Sequence, residues 1–281
     1  MSSAVPAPVP VPAFSATSAI SAGQQYRLGR LFAADGRTVI LPVDHGTMLG
    51  RVPGLEDPAA MLTRFLPLAC DGFLIGPGLA ERTSALFARR SAPARLITID
   101  SYWRGPAAAA HVLIGSLARA AALGADGVKV LMPWDVPPEE RAGQAALTAT
   151  VIGEASQFGL PVMVEPVCLA APRPPDAVAI EADGCRMAAE LGADILKVAY
   201  PGDPAVLSAW RSELGLPMVI LGGPPSGTAD DLCALVSEAI AAGASGITIG
   251  RRVWQRPADE AIELLGRLIR IVHPGPGRPP G

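Results

Sequence analysis

Short apolar runs rich in β-branched residues recur along the chain, and helical patterns fill most of the gaps between them. Such runs, alternating with helices, are typical of parallel strands that are buried on both faces. Eight of them are present: TVILPV (38–43), DGFLIG (71–76), RLITI (95–99), DGVKVLM (126–132), PVMVE (161–165), DILKVA (194–199), PMVIL (217–221) and SGITIG (245–250). Eight strands close a (β/α)8 barrel in a chain of about this length. The sequence therefore predicts an α/β protein with a single TIM barrel.

The boundaries of the barrel follow from composition. Residues 1–24 are rich in proline and alanine and are predicted to be a disordered arm. Residues 273–281 read HPGPGRPPG and are predicted to be a flexible tail. The barrel is predicted to span residues 25–272. Among its gaps, 107–124 (AAAAHVLIGSLARAAALG) and 229–243 (ADDLCALVSEAIAAG) carry helical patterns.

Charge and hydropathy exclude several classes of partner. The chain has 50% hydrophobic residues, 17% charged residues and a net charge of −3, without a basic block, so nucleic-acid binding is not expected. No apolar run is long enough to span a membrane, and the N-terminus lacks the pattern of a signal peptide. The four cysteines have no CxxC spacing, and the three histidines do not form a metal motif. We expect a cytoplasmic protein without a bound metal.

The chain has 23 basic residues, but only two of them, Lys129 and Lys197, are lysines. They occupy matching places in two similar segments, LGADGVKVLMP (123–133) and LGADILKVAYP (191–201). Each lies inside an apolar strand, where lysine is rarely buried without a partner. Lysine can lose its proton and form a Schiff base with a carbonyl, whereas arginine cannot. Two lysines in one barrel interior would repel and be desolvated, and both effects lower an amine pKa. The alternative is a structural ion pair.

Polar residues follow several strands at the end where barrel enzymes place their chemistry. Asp44 and His45 follow the first run, and Glu165 ends the fifth. Glu165 is a candidate proton carrier or a partner of Lys129, and Asp44 is a candidate for binding substrate hydroxyls or simply a turn cap. Tyr200, in the turn sequence YPGDP, is a candidate substrate contact.

A phosphate site is predicted at the last two strands. PMVILGGPP ends in Gly222 and Gly223, and GITIGRR ends in Gly250 and Arg251. Glycines allow the backbone to approach a ligand closely, and loops after strands seven and eight of TIM barrels frequently bind phosphate. Arg251 adds a forked cationic donor.

The order of motifs LPVDHG, GADGVKVLMPWD, VEPV, GADILKVAYPGDP, GGPP and GITIGRRVWQR resembles the DhnA/DeoC/LacD group of class I aldolases. The start of the chain is similar to archaeal-type fructose-bisphosphate aldolases, and VKVLMPWD with MVEPV is similar to tagatose-bisphosphate and sulfosugar-phosphate aldolases. The resemblance implies a Schiff-base (β/α)8 lyase that acts on a ketose phosphate or bisphosphate. One fragment would be dihydroxyacetone phosphate, no cofactor would be needed, and the enzyme would be a homo-oligomer.

By position, the resemblance implies that Lys197 is the Schiff-base lysine. It implies that Lys129 and Glu165 are the pair that handles protons and substrate oxygens, and that Asp44 is the strand-one aspartate, a further candidate for moving a proton. His45, next to Asp44, is a candidate substrate contact. The phosphate site of the family matches Gly222, Gly223, Gly250 and Arg251. There are two departures. The archaeal aldolases have a YPRG-like segment after strand five, where this chain has EPVCLAAP. Relatives often have a lysine soon after the GG pair, where this chain has Pro224, Pro225 and Ser226, so Ser226 is a candidate replacement.

Three other functions stay open at this point. A transaldolase-like synthase of the amino-dideoxy-heptulosonate type would use the same lysine without releasing the first fragment to water. A thiolase related to autoinducer processing would depend on acetyl-CoA. A sugar-phosphate-binding sensor barrel would carry no catalysis, although the lysines and Glu165 argue against it.

Overall fold

The computed structural model describes residues 21–104 and 109–275. Its strands are β1 (Thr38–Pro42), β2 (Gly72–Ile75), β3 (Ala94–Thr98), β4 (Asp100–Arg104), β5 (Ala109–Leu113), β6 (Gly127–Pro133), β7 (Val162–Val167), β8 (Ile195–Val198), β9 (Met218–Leu221) and β10 (Gly246–Thr248). Eight of them form a closed barrel in the order β1-β2-β3-β6-β7-β8-β9-β10, and all neighbours in it are parallel. The predicted TIM barrel is confirmed, with all eight predicted strands.

Helices connect the strands around the outside of the barrel. They are α1 (Ala22–Leu31), α2 (Gly46–Leu49), α3 (Pro58–Phe65), α4 (Pro77–Arg82), α5 (Ser84–Phe87), α6 (Leu117–Ala122), α7 (Pro138–Gln157), α8 (Ala177–Leu191), α9 (Pro204–Leu214), α10 (Ala229–Ala241), α11 (Arg251–Trp254) and α12 (Ala258–Val272). None of these helices, within the described ranges, is long and apolar enough to cross a lipid bilayer.

The ends of the chain differ slightly from the predicted boundaries. Helix α1 starts at Ala22, where Ser21 forms a capping box with Gln24, so the predicted arm boundary at residue 24 falls inside a helix. The rest of the predicted arm (residues 1–20) and the end of the predicted tail (276–281) lie outside the described residues.

Helix α1 packs against residues of the inner barrel wall. Leu28, Leu31 and Phe32 form a cluster with buried side chains from several strands, among them Ile40 and Met163. This cluster is separate from the larger one, in which the alternate strand residues pack against the outer helices. Because α1 and this apolar layer fill one end of the interior, a functional cavity can open only at the other end.

Within the predicted helical segment 107–124, the described residues 109–124 do not form one continuous helix. Residues Ala109–Leu113 form β5, which pairs antiparallel with β4 directly after β3, and only Leu117–Ala122 is helical. Tertiary pairing overrides helix propensity here, because β5 pairs with β4, whose consecutive residues Ser101 and Tyr102 are buried. The hairpin therefore places a wall of side chains beside the barrel mouth.

His273, directly after α12, contacts the end of the barrel that lies opposite the mouth. Its Nδ1 lies 2.7 Å from Asp35 Oδ2, and its Nε2 lies 2.9 Å from Asp71 Oδ2. Burial acts to lower the pKa of His273, but the two carboxylates outweigh it and the pKa is raised. The imidazolium form therefore stabilises the fold.

This contact makes a prediction about pH. A raised folded-state pKa means that the stabilisation is complete below the ordinary histidine range and is lost as the pH rises through the raised value. His273→Gln should therefore lower the melting temperature more at pH 6 than at pH 9, as measured by thermal unfolding. An equal decrease at both pH values would contradict an ionic role.

Candidate active site

Three polar side chains lie on consecutive strands inside the barrel: Lys129 on β6, Glu165 on β7 and Lys197 on β8. The Nζ atom of Lys129 lies 3.0 Å from Glu165 Oε2, and the Nζ atom of Lys197 lies 3.0 Å from Glu165 Oε1. All three residues are less than 9% exposed. One carboxylate therefore holds both lysines of the chain, each on its own oxygen.

The charges of this triad determine its protonation. Burial acts to raise the pKa of Glu165, but Lys129 and Lys197 outweigh it, so the pKa is lowered. Burial likewise acts to lower the pKa of Lys129, but Glu165, Asp100 and Asp44 outweigh it, so the pKa is raised. The expected lowering by mutual repulsion is thus wrong for Lys129. The carboxylates in the barrel reverse it, and Lys129 is a fixed ammonium.

Asp44 follows β1 and lies beside the triad. Its Oδ2 accepts a short hydrogen bond from Thr98 Oγ1 at the end of β3. Burial acts to raise the pKa of Asp44, but Lys129, His45 and Lys197, together with the hydrogen bond, lower it overall. Asp44 is consequently a second ionised carboxylate next to the lysines.

His45 is neutral because its pKa is lowered, mainly by burial and also by Lys197 and Arg251, against the opposing effect of Asp44. Its ring packs edge-on against Trp254, with ring centroids 5.4 Å apart. Its Nδ1 lies 3.8 Å from Asp44 Oδ1, too far for a hydrogen bond. His45 therefore lines the site as a neutral polar group.

The predicted phosphate loops are only partly directed at this site. Arg251 and Gly223 both line the cavity, and Arg251 Nη2 donates to the Gly223 carbonyl at 3.4 Å. Gly223 has a φ of +66°, which favours glycine. Gly222 and Gly250 have a different reason to be glycine. A Cβ on Gly222 would lie 2.9 Å from Ile249 Cγ2, and one on Gly250 would lie 2.7 Å from the Pro42 carbonyl oxygen.

Gly250→Ala is therefore expected to destabilise the fold. The added methyl would also lie 2.9 Å from Trp254 Nε1, which donates to the Pro42 carbonyl at 3.0 Å. Overpacking of this kind costs roughly 1–3 kcal/mol of unfolding free energy. Chemical denaturation would measure it. The matched control is Gly143→Ala, at a helical position where a Cβ meets nothing within 4 Å. Equal stability of the two variants would contradict the packing role.

Two predicted substrate contacts lie elsewhere. The Tyr200 hydroxyl donates to Glu238 Oε2 on α10, outside the cavity, and this contact with burial raises the pKa of Tyr200 to about 12. Ser226 is exposed in the loop after β9 and does not line the cavity. The geometry therefore gives no support to either residue as a substrate contact, because neither side chain lines the cavity above the triad.

The cavity above the triad has a volume of about 320 Å³. Its wall carries four cationic and four carboxylate side chains, namely Lys129, Arg173, Lys197, Arg251, Asp44, Asp100, Glu165 and Glu181. Thr98, Asp100, Arg173 and Glu181 are not identified from the sequence. Thr98 and Asp100 had a usable signal in the segment ITID (97–100), because Thr98 ends β3 and Asp100 comes two residues later, as Asp44 follows β1 in LPVD.

Asp100 is one of two deeply buried carboxylates that the sequence analysis missed, the other being Glu181. It is 2% exposed, and its Oδ2 accepts from the Leu131 amide at 2.8 Å and lies 2.8 Å from His111 Nε2. His111 Nδ1 in turn faces Gln144 Oε1 on α7. His111, predicted within a helix, thus lies on β5 and fixes Asp100. In the described part of the chain, no three His, Cys, Asp or Glu side chains are grouped to hold a metal.

Comparisons with known proteins agree with this geometry. The model of the DeoC/LacD family of aldolases matches residues 38–256. The chain is 30% identical over 269 residues to a class 1 fructose-bisphosphate aldolase of Thermoproteus tenax, covering 88% of this chain and 93% of that protein. It is 29% identical over 257 residues to a 2-amino-3,7-dideoxy-D-threo-hept-6-ulosonate synthase of Halobacterium salinarum, covering 90% and 92%.

A solved structure matches over a similar span. It belongs to a study of reaction intermediates of a Schiff-base-forming fructose-1,6-bisphosphate aldolase, and its TM-score with this chain is 0.74 at 28% identity. The match covers 89% of this chain and 100% of that one.

Proposed function

The chain belongs to the DeoC/LacD family of aldolases, and we propose that it cleaves or forms one carbon–carbon bond of a ketose phosphate through a Schiff base on Lys197. The observation that carries the proposal is the Lys129–Glu165–Lys197 triad, with both Nζ–Oε distances at 3.0 Å inside the closed barrel. A buried amine beside a carboxylate can transfer a proton to it and then attack a carbonyl.

In the first step, Glu165 takes a proton from the ammonium group of Lys197, and the free Nζ then forms a bond to the ketone carbon. Glu165 gives that proton to the carbinolamine oxygen, which leaves as water, so the iminium forms and Glu165 is again a carboxylate. Lys129 is suited to stabilise that oxygen, because its raised pKa keeps it an ammonium within reach of the same site. When Lys197 is neutral, one of the two cations that lower the pKa of Glu165 is absent, so Glu165 is better able to hold the proton that it has taken.

The iminium then accepts the electron pair of the carbon–carbon bond that breaks. Glu165 takes the proton from the hydroxyl of the departing fragment, which leaves as an aldehyde. The enamine that stays on Lys197 is protonated at carbon and becomes an iminium again. Water hydrolyses this iminium and releases the second fragment. The reverse sequence forms the bond. Each step is balanced by side chains of this chain and by water.

The remaining side chains bind the substrate. Asp44, held by Thr98, accepts hydrogen bonds from substrate hydroxyls. Arg251 and the backbone at Gly223 bind the phosphate of the dihydroxyacetone phosphate fragment, because Arg251 lines the cavity with a forked cationic donor. Homo-oligomer formation and a cytoplasmic location stay predictions.

A second candidate is a transaldolase-like synthase. It is favoured by the relative from Halobacterium salinarum, which is named as a synthase of an amino-dideoxy-heptulosonate and matches nearly as well as the aldolase. Such an enzyme would use the same lysine but transfer the first fragment directly to an acceptor aldehyde. Release of the first fragment without an acceptor would exclude this candidate.

Deuterium exchange tests the proposal without knowledge of the aldehyde. The enzyme is incubated with dihydroxyacetone phosphate in D₂O, and proton NMR follows the hydroxymethyl carbon. Enamine formation predicts that the hydroxymethyl signal falls to half of its integral, because stereospecific protonation on one face replaces one of the two protons by deuterium. An enzyme that binds dihydroxyacetone phosphate without any exchange would contradict the proposal and would favour a sensor.

A further inference from the structure

The cavity wall carries no net positive charge. Four cationic side chains face four carboxylates, and in the described residues each of three cations has a carboxylate partner within 3.0 Å. A phosphate monoester brings about −1.5 to −2 charges at neutral pH, and a bisphosphate brings twice as much. A phosphate can therefore bind favourably to this wall only beside a cation that has no carboxylate partner. Binding of a second phosphate is disfavoured.

Arg251 is the unpaired cation. In the part of the chain that the structure describes, its guanidinium makes no ion pair. Its Nη2 donates to the Gly223 carbonyl at 3.4 Å, and its buried Nε has no hydrogen-bond partner. Donors of a buried guanidinium that lack partners are costly unless a ligand accepts from them. One anion therefore belongs at the β9–β10 side of the mouth.

Arg173, the other arginine of the wall, is already neutralised. It donates from Nη1 and Nη2 to the two carboxylate oxygens of Glu181, at 2.9 and 2.8 Å. Glu181 is 1% exposed, so its charge has little water to solvate it. Turning Arg173 towards a ligand would leave that carboxylate buried and alone, which strongly destabilises a fold.

In the described residues, the arc of the wall opposite Arg251 offers an anion no unpaired cation, because Lys129 on β6 is held by Glu165. In the barrel order, β3 and β6 lie across from β9 and β10. Asp100 stands at this arc, and its buried Oδ1 has no hydrogen-bond partner in the described residues. Ser101 and Leu131 line the same arc. These groups suit hydroxyl donors, whereas a phosphate there would face the carboxylate oxygen Oδ1 of Asp100.

From this charge distribution we propose that the substrate carries a single phosphate, bound at Arg251 and Gly223, and that the aldehyde fragment is an uncharged hydroxyaldehyde directed at Asp100. The inference rests on the proposed function and narrows its substrate class to ketose monophosphates. It also separates this chain from relatives that are named after a bisphosphate.

Binding of carbonyl-free analogues tests this inference independently of the lysine chemistry. Isothermal titration of the full-length protein would compare glucitol 1-phosphate with glucitol 1,6-bisphosphate, neither of which can form a Schiff base. We expect the second phosphate to weaken binding by about fivefold or more. A bisphosphate that binds as tightly or more tightly would overturn the inference, as would a failure of the monophosphate to bind.

Two variants identify the residues responsible. Glu181→Gln frees the Arg173 guanidinium, so the ratio of the two dissociation constants should shift towards the bisphosphate by about fivefold or more. The double variant Arg173→Gln/Glu181→Gln removes both charges and leaves no buried carboxylate, so it should keep the wild-type ratio within twofold. Glu190→Gln, at an exposed ion pair with Arg186, is the matched control. A double variant that loses affinity for the bisphosphate alone would mean that Arg173 binds the second phosphate.

The Schiff-base chemistry and the binding of a single phosphate can be refuted separately. Deuterium exchange with dihydroxyacetone phosphate tests the Schiff-base chemistry, and the titration tests only the number of phosphates. Exchange together with a preference for the bisphosphate would retain the aldolase and reject the monophosphate. Absence of exchange together with a preference for the monophosphate would reject the aldolase and retain the binding of a single phosphate.

Discussion

Lys197→Met is expected to reduce kcat by about 10⁴-fold or more, because it removes the nucleophile on which every covalent step depends. Lys197→Arg should reduce it equally, although arginine keeps the positive charge beside Glu165, because a guanidinium does not form a Schiff base. Steady-state cleavage assays measure both effects, and thermal unfolding verifies that the variants fold. A kcat of Lys197→Arg within tenfold of the wild type would contradict the Schiff-base role, since charge alone would then explain the role of Lys197.

Glu165→Gln is expected to lower kcat by about 10²- to 10⁴-fold, the usual contribution of a positioned general base. The amide keeps the size of the side chain but cannot take a proton from the amine or from the substrate hydroxyl. The change also leaves two buried lysines without their shared carboxylate, so part of the loss can come from instability. Glu165→Asp separates the two effects, because it keeps the charge and shifts it by about one methylene.

The matched control for Glu165→Gln is Glu238→Gln. Glu238 accepts from the Tyr200 hydroxyl outside the cavity, so this variant should keep kcat within about twofold. A similar loss in both variants would show that removal of any carboxylate near β8 disturbs the enzyme, and Glu165 would lose its assigned role.

The barrel was predictable because its strands are buried on both faces and read as continuous apolar runs. The hairpin was not, because Ala109–Leu113 lies in an alanine-rich stretch whose intrinsic preference is helical. What decides its structure is pairing with Asp100–Arg104 and the burial of Tyr102, which depend on the barrel already in place. Local preference and tertiary structure conflict at this segment, beside the active site.

The triad was predictable for a similar reason. A lysine or a glutamate within an apolar strand has no ordinary role, so Lys129, Lys197 and Glu165 stand out in the sequence. Their electrostatics could not be predicted, because the repulsion between two lysines depends on where Glu165 lies. Its position between the two Nζ atoms, 3.0 Å from each, raises the pKa of Lys129 instead of lowering it.

The glycines of the predicted phosphate site could be interpreted only in part from the sequence. Gly222, Gly223 and Gly250 all suggest close approach to a ligand, but two of them are glycine because the side chain of Ile249 and the carbonyl of Pro42 occupy the space of a Cβ. Packing contacts between distant segments leave no local pattern in the sequence. Arg173 was missed for a different reason, because it lies before α8 and its position over the cavity depends on its pairing with Glu181 inside that helix.

The most direct test of the central claim is reduction of the Schiff base in place. The protein is incubated with dihydroxyacetone phosphate and borohydride, and intact mass and peptide mapping then locate the adduct. The account predicts one adduct on Lys197, absent from Lys197→Met and retained in Glu238→Gln. An adduct on Lys129, or none despite binding of dihydroxyacetone phosphate, would contradict it.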